Sequence, residues 1–391
     1  MHESSDTWAD VSLVEGGPLH RLGRRSGLPA GALGLSELGI VLGALAWIPL
    51  PILAALDGHL TGGVAVPFTQ ALGTHIRLLA LIPLYFLAEA GFDLRARQAM
   101  RVLVDSEVVP AAQRPALAAA LHRARRWSQG PAAESALVVA VVILAWQGLR
   151  ASLPPEVSTW RQGADGAWTL AGMWYAFAAV PLFQFLTLRW GLHLLAWSAV
   201  LWRLRGLDLA LMPTHPDRAG GLGSLGVVHV ALTPLAFGYS SLFVAGVAER
   251  VLFAGADVRG QGLALVAMVT AISALFVAPL LLFVPGLLGT KQRGLLEYGA
   301  LGARYARRFD AKWVHGAEPD GPLLGSADIQ SLADMAGAFD VIREMRIVPI
   351  AQNQLLLLAG AAVLPALPLV FFLVPLDEMI RRALRTVLHL E

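Results

Sequence analysis

Seven stretches of this chain are each about 20 residues long and nearly free of charge: 33–56, 72–91, 132–149, 168–188, 225–247, 263–288 and 355–374. A helix needs roughly 20 mostly apolar residues to cross a hydrocarbon core about 30 Å thick. Composition removes the alternative that they fill soluble cores. Only 15% of the 391 residues are charged and 56% are hydrophobic, with a mean hydropathy of +0.61. Soluble domains carry about 25% charged and 45–50% apolar residues. The expected fold is therefore all-α: a polytopic membrane protein of about seven spans. An ordinary cytosolic enzyme, a disordered chain and a disulfide-stapled secreted domain are excluded. So is a soluble nucleic-acid binder: the net charge is only +2, and the basic residues have a different use.

That use is orientation, because cytoplasmic connections are enriched in Lys and Arg. The connection after the second stretch carries Arg95, Arg97, Arg101, Arg114, Arg123, Arg125 and Arg126, and the one after the sixth carries Lys291, Arg293, Arg304, Arg307, Arg308 and Lys312. The segment 57–71 has neither residue type. The reading places the N-terminus inside and the C-terminus outside, although the tail bears Arg381, Arg382 and Arg385. The segment 190–212 is read as a cytoplasmic continuation of the fourth helix, because Arg189, His193, Arg203, Arg205 and Asp208 interrupt it.

The chain then divides into an N-terminal segment 1–32, two spans in 33–92, arginine-rich helices in 93–131, four spans in 132–288, a cytoplasmic segment 289–352, a last span in 353–375 and an amphipathic tail 376–391. The segment 1–32 lacks the apolar core and cleavage site of a signal peptide and is read as retained. Within 327–346, Ile329, Leu332, Met335, Phe339, Ile342 and Met345 fall on one helical stripe opposite Asp328, Asp334, Asp340 and Glu344. The stripe and the tail suit interfacial or packing helices, or a gating and oligomerisation layer. A linker is expected at 316–325.

The most distinctive string is 211–223, Leu-Met-Pro-Thr-His-Pro-Asp-Arg-Ala-Gly-Gly-Leu-Gly. Pro213 ends the preceding helix, and Gly220, Gly221 and Gly223 permit left-handed backbone. One reading is a rigid turn in which His215 and Asp217 bond the loop itself. A second is an anion site, with the glycine amides and Arg218 receiving an anionic lipid or phosphate-bearing ligand. A third makes His215 and Asp217 metal ligands or an acid–base pair. The His-Pro-Asp tripeptide also marks J-domains, but those are soluble hairpins and this one lies between membrane helices.

With Asp328-Ile-Gln-Ser-Leu-Ala-Asp-Met-Ala and Val341-Ile-Arg-Glu-Met-Arg-Ile-Val-Pro-Ile, that string resembles a group of uncharacterised bacterial polytopic membrane proteins. The resemblance covers most of the chain from the fourth span onward and implies a bacterial inner (cytoplasmic) membrane location. The seven-span topology is also similar to that of insect chemoreceptor-type ion channels, a likeness of architecture without a shared motif.

Polar groups within the spans are the remaining candidates, since ionisable residues in lipid usually face a cavity or a partner. Glu89, with Asp93 one turn on, and His229 are either drawn inward or placed at an interface. His75 and Arg77 are read as interface residues reaching water. Thr233, Tyr239, Ser240 and Ser241, with Gln352, Asn353 and Gln354, are candidates for lining a water-filled path in the C-terminal spans. Prolines inside six of the spans suit a kinked channel. The sequence holds no His-Glu-x-x-His, no Gly-x-Ser-x-Gly, no Walker lysine, no Asp-rich phosphate motif and no cysteine, and no cofactor is expected. The expectation is a homo-oligomeric channel for ions or small solutes in the lipid bilayer. The alternatives are a membrane-anchored sensor or scaffold that docks a cytoplasmic partner, and a membrane-embedded metal enzyme using His193, His215, Asp217 and His229.

Overall fold

Within the described residues each apolar stretch forms a helix, the one open structure that satisfies every main-chain group within its own segment in lipid. The computed structural model describes Ser12 and residues 32–150, 158–163, 166–257, 259–315 and 327–369. The expected tail 376–391, the linker 316–325 and most of the N-terminal segment lie outside the described residues. Among the described residues only isolated bridges at Val66, Thr159, Gln162 and Trp168 interrupt the helical pattern, with no strand. In chain order the helices are α1 (Ser36–Leu56), α2 (Leu72–Asp105), α3 (Arg114–Ser128), α4 (Pro131–Arg150), α5 (Leu170–Arg205), α6 (Ser224–Phe253), α7 (Gly262–Val314), α8 (Ala327–Arg343) and α9 (Gln352–Leu369). Six of these, α1, α2, α5, α6, α7 and α9, are long and apolar enough to cross a membrane. The α3–α4 pair, bent by 42°, makes a seventh crossing if taken as one span. The chain is a multi-pass, all-α membrane protein.

Several helices outrun their apolar stretches. The second continues to Asp105 and the sixth to Val314, where α8 returns along it as a hairpin. The fourth is one continuous helix to Arg205, ending at Gly206. Two of its interruptions, Arg189 and His193, are buried within protein, however, whereas Arg203 and Arg205 are exposed.

Main-chain bonds tie the connections into two layers. At one end Val66 N donates to Ser158 O (3.2 Å) and Trp160 N to Val66 O (3.0 Å), joining the 57–71 and 158–169 connections. The Glu249 carboxylate of α6 accepts from Gly73 N at 2.7 Å in the same layer. At the other end Ala210 N donates to Val108 O (2.9 Å) and Arg346 N to Arg218 O (2.7 Å). The arginine-rich segments share this second end. It follows that α2 and α5 run parallel, with α1 and α6 antiparallel to them.

Small residues bring the main chains together, as van der Waals packing between membrane helices favours. A Cβ on Gly43 of α1 would stand 2.6 Å from Leu78 O of α2. Around this seam Trp190, Trp197, Phe86 and Phe92 are fully buried, and Phe92 meets both indoles edge-on at 6.1 and 5.5 Å. The opposite faces carry Leu45, Val266 and Leu263, the last 82% exposed. Lipid, as apolar as those side chains, is their solvent.

Proline adds a local pattern. The π-turns Ile76–Leu81 and Tyr175–Ala179 lead directly into the helical segments that begin with Pro83 and Pro181 in their first turn. A proline crowds the carbonyl four residues before it, and one extra residue in the preceding turn relieves that crowding. Such π-bulges recur at functional sites.

Candidate functional site

The 206–223 loop closes on itself. Asp217 Oδ1 accepts from Ala219 N (2.8 Å) and Gly221 N (3.1 Å), and Oδ2 accepts from Gly223 N (2.7 Å). His215 Nδ1 lies 2.8 Å from Asp217 Oδ1. Arg218 adopts φ +52° and pairs with Glu344 at 2.7 Å, while Arg346 donates to Asp217 O at 2.7 Å. Gly220 and Gly221 take φ +65° and +97°. A Cβ on Gly221 would also stand 2.4 Å from Val108 Cγ2. Burial works against the Asp217 charge, but the three N–H donors and His215 outweigh it and hold the carboxyl below its ordinary range. This corrects the expected anion site. The loop's own carboxylate already occupies the amides of residues 219, 221 and 223, and Glu344 occupies Arg218. The rigid-turn reading describes the geometry.

The polar groups of the bilayer layer gather elsewhere, between α2, α5 and α6. Tyr85, Glu89, Asp93 and Arg97 recur every four residues along one face of α2. Tyr85 Oη lies 2.7 Å from Thr187 Oγ1 of α5 and donates to Tyr239 Oη of α6 at 3.1 Å. One turn on, Glu89 accepts both terminal nitrogens of Arg189, at 2.6 and 2.7 Å, with the carboxylate only 1% exposed. Asp93 follows, bonded by Arg97 at 2.5 Å and Ser12 Oγ at 2.5 Å. Glu89 thus faces neither water nor lipid, because the guanidinium that sequence reading placed in the cytoplasm neutralises it. His229 is equally enclosed. Its Nε2 accepts from Trp197 Nε1 at 3.1 Å and its Nδ1–H donates to Phe276 O at 2.5 Å, which sets the tautomer.

Of the other candidates in the C-terminal spans, Ser240 ties two helices together and Gln354 caps one, while Thr233, Ser241, Gln352 and Asn353 bond no second helix among the described residues. Ser240 donates to Ala362 O across to α9 at 2.5 Å, and Ser241 donates back to Phe237 O at 2.7 Å. Gln354 accepts from Ala351 N at 2.8 Å, closing the first turn of α9, while Gln352 and Asn353 are exposed. Thr233 Oγ1 is buried with no hydrogen-bond partner among the described residues. His193, His215, Asp217 and His229 do not converge: among the described residues no three His, Asp or Glu side chains gather to hold a metal. The metal-enzyme alternative loses its ligand set.

Two placements overturn the interface reading of His75 and Arg77. His75 Nδ1 accepts from Trp47 Nε1 at 3.0 Å, and Nε2 lies 3.0 Å from Phe68 O. Arg77 turns inward and donates to the hydroxyl of Tyr175, in the π-turn of α5. In one dimension Arg77 and Arg161 each look like an ordinary end-of-span arginine, which gives the interface reading of Arg77 and leaves Arg161 unmarked. The cue that could have marked Arg77 was a proline six residues on, forcing a bulged turn. No protein-family model, curated protein or solved structure matches this chain.

Proposed function

We propose that the protein is a channel for ions or small solutes in the bacterial inner membrane, working as a homo-oligomer, with its path along the polar column of α2, α5 and α6. One observation carries the reading: a doubly bonded Glu89–Arg189 pair inside the apolar layer, in line with Tyr85, Thr187 and Tyr239 on one side and Asp93 and Arg97 on the other. From Arg77 to Arg97 the column follows twenty residues of helix, about 30 Å at 1.5 Å per residue, equal to the hydrocarbon thickness. Isolated apolar packing has no need of such a series. Buried ion pairs contribute little net stability compared with apolar residues of similar volume, and intramembrane charges typically mark ion pathways and proton relays.

The pair bridges two helices, so it acts as the gate: separating α2 from α5 exchanges each partner's bond for water or a permeant ion. The proposed path thus runs within the protomer and takes α6 alone of the C-terminal spans, where Ser240 and Ser241 bond to main-chain carbonyls. Purified protein in liposomes carrying pH- and halide-sensitive dyes tests this. Wild-type protein is expected to pass an ion, and Glu89→Gln, which weakens the gate, to raise the leak. Absence of flux under every applied voltage, pH and osmotic gradient would sink the reading.

The sensor alternative keeps one supporting observation. The α7–α8 hairpin extends beyond the spanning layer, pinned by Lys312–Asp328 at 2.8 Å, and exposes Leu296 at 75%. A protein that is impermeable and monomeric in liposomes would favour it.

A further inference from the structure

The two charged ends of the bundle differ in how their arginines are satisfied, and at one end two of them form no ion pair among the described residues. Arg77 sits in the π-turn of α2 and Arg161 in the short connection before α5. Both guanidiniums face the ring of Tyr175, at 5.9 and 5.6 Å from its centroid, and Arg77 also lies 5.3 Å from the Phe183 ring. Cation–π contact of this kind holds a guanidinium in place without neutralising it. Among the described residues neither arginine has an ion pair. One carboxylate, Glu249, acts on both guanidiniums from further away, and its Oε1 accepts from Gly73 N. The two like charges repel each other. Burial presses the Arg161 guanidinium below its ordinary value, with Glu249 opposing.

The cluster is positioned rigidly. Thr169 N donates to Arg161 O at 3.1 Å, and Thr159 pairs with both Val66 and Gln162, so the turn carrying Arg161 is bridged on two sides. A Cβ on Gly172 would stand 2.2 Å from Arg161 O, so only glycine lets α5 approach this closely. A cavity of about 310 Å³ opens against both arginines, walled by Tyr175, Phe183, Leu144 and Gln184. Arg161 Nε and Gln184 Oε1 are buried with no hydrogen-bond partner among the described residues. Unfilled hydrogen-bonding capacity in a half-buried site is costly unless a ligand meets it. Both π-turns of the fold's inner helices contribute a residue to this one cavity.

We propose that this cavity is a binding site for an amphiphilic oxyanion, its carboxylate or phosphate group held between Arg77 and Arg161 and its apolar body against Phe183 and Leu144. Guanidinium groups suit that geometry because their planar donors match an oxyanion's oxygens. Two sources can supply the chemistry, the headgroup of an anionic lipid or a free organic anion. The site shares Arg77 with the end of the proposed column but lies about three helical turns from the Glu89–Arg189 gate, and it goes beyond the channel reading, since it is read by binding and not by flux.

The test uses the full chain in nanodiscs of phosphatidylcholine, titrated with inorganic phosphate and with hexyl phosphate while thermal unfolding is followed. In parallel, native mass spectrometry counts phosphatidylglycerol retained from mixed discs. Arg161→Gln and Arg77→Gln are compared with wild type and with Arg205→Gln, which lines a different cavity at the other end. Saturable hexyl phosphate binding, weakened about tenfold in both site variants and unchanged in Arg205→Gln, identifies a free anion. Retained phosphatidylglycerol that is lost in both variants, with no response to either soluble phosphate, identifies a lipid. Arg161→Gln lies on a connection outside the spans, so its result stands even if Arg77→Gln fails to fold. The proposal is overturned if wild type binds neither probe, or if Arg161→Gln binds as tightly as wild type. Binding without flux would overturn the channel alone, and flux without binding would overturn this site alone.

Discussion

The loop at residues 206–223 and the arginine cluster at the opposite end handle charge in contrasting ways. In the loop Asp217 takes three main-chain donors, Arg218 finds Glu344, and Arg346 finds two carbonyls. Most strong donors there are consumed from within, Arg346 Nε being the exception among the described residues. In the cluster two guanidiniums share one tyrosine ring and no ion pair. The segment richest in glycine and in conspicuous residues is therefore a structural clasp, while a pair of unremarkable arginines holds unspent binding capacity. Motif density and chemical availability are different properties.

Substitutions can break this contrast. The largest effect is expected at the pair between the two ends. Glu89→Ala strands Arg189 in protein at a cost of about 3–5 kcal/mol, whereas Glu89→Leu with Arg189→Met restores most of the loss. Unfolding in mild detergent, followed by circular dichroism, measures both. Asp217→Ala comes next, at about 2–3 kcal/mol, because it leaves donors of the clasp unmet. Its pH signature has a definite sign. The folded carboxyl is depressed, so its contribution is complete above the ordinary value of 3.8 and vanishes as pH falls through the lower folded value. Wild-type protein should lose stability below about pH 4 more steeply than Asp217→Ala.

Gly221→Ala should cost about 2 kcal/mol, from a left-handed backbone and the contact with Val108. Arg161→Gln should change stability least, within about 0.5 kcal/mol, because no protein carboxylate loses a partner. If Arg161→Gln instead destabilised the chain as Asp217→Ala does, the two ends would be alike and the contrast would fail.

The architecture was largely legible because lipid imposes a one-dimensional rule. Runs of apolar residues announce α1, α5 and α6 directly, and the arginines sort the connections into two layers. The stripe from Ile329 to Met345 likewise gave away α8, which turns it toward α7, with Ile342 and Met345 buried. What could not be read were relations across long separations. Arg189 looked like an exit from the bilayer because its partner, Glu89, lies a hundred residues earlier. Arg77 looked like a boundary residue because Tyr175 and Arg161 are equally remote. Ser240 and Ser241 looked like a polar lining because hydropathy cannot tell a hydroxyl facing water from one bonded to a neighbouring carbonyl.

The parallel course of α2 and α5 also dictates an order of assembly. An arginine entering the membrane alone on a newly made helix is penalised by about 2.5–3.5 kcal/mol on insertion scales. Glu89 arrives first, carried by the earlier segment, and waits as an unneutralised acid until translation delivers Arg189. The α5 segment therefore inserts at a penalty that its predecessor relieves: synthesised without α2, it should insert less efficiently than with it.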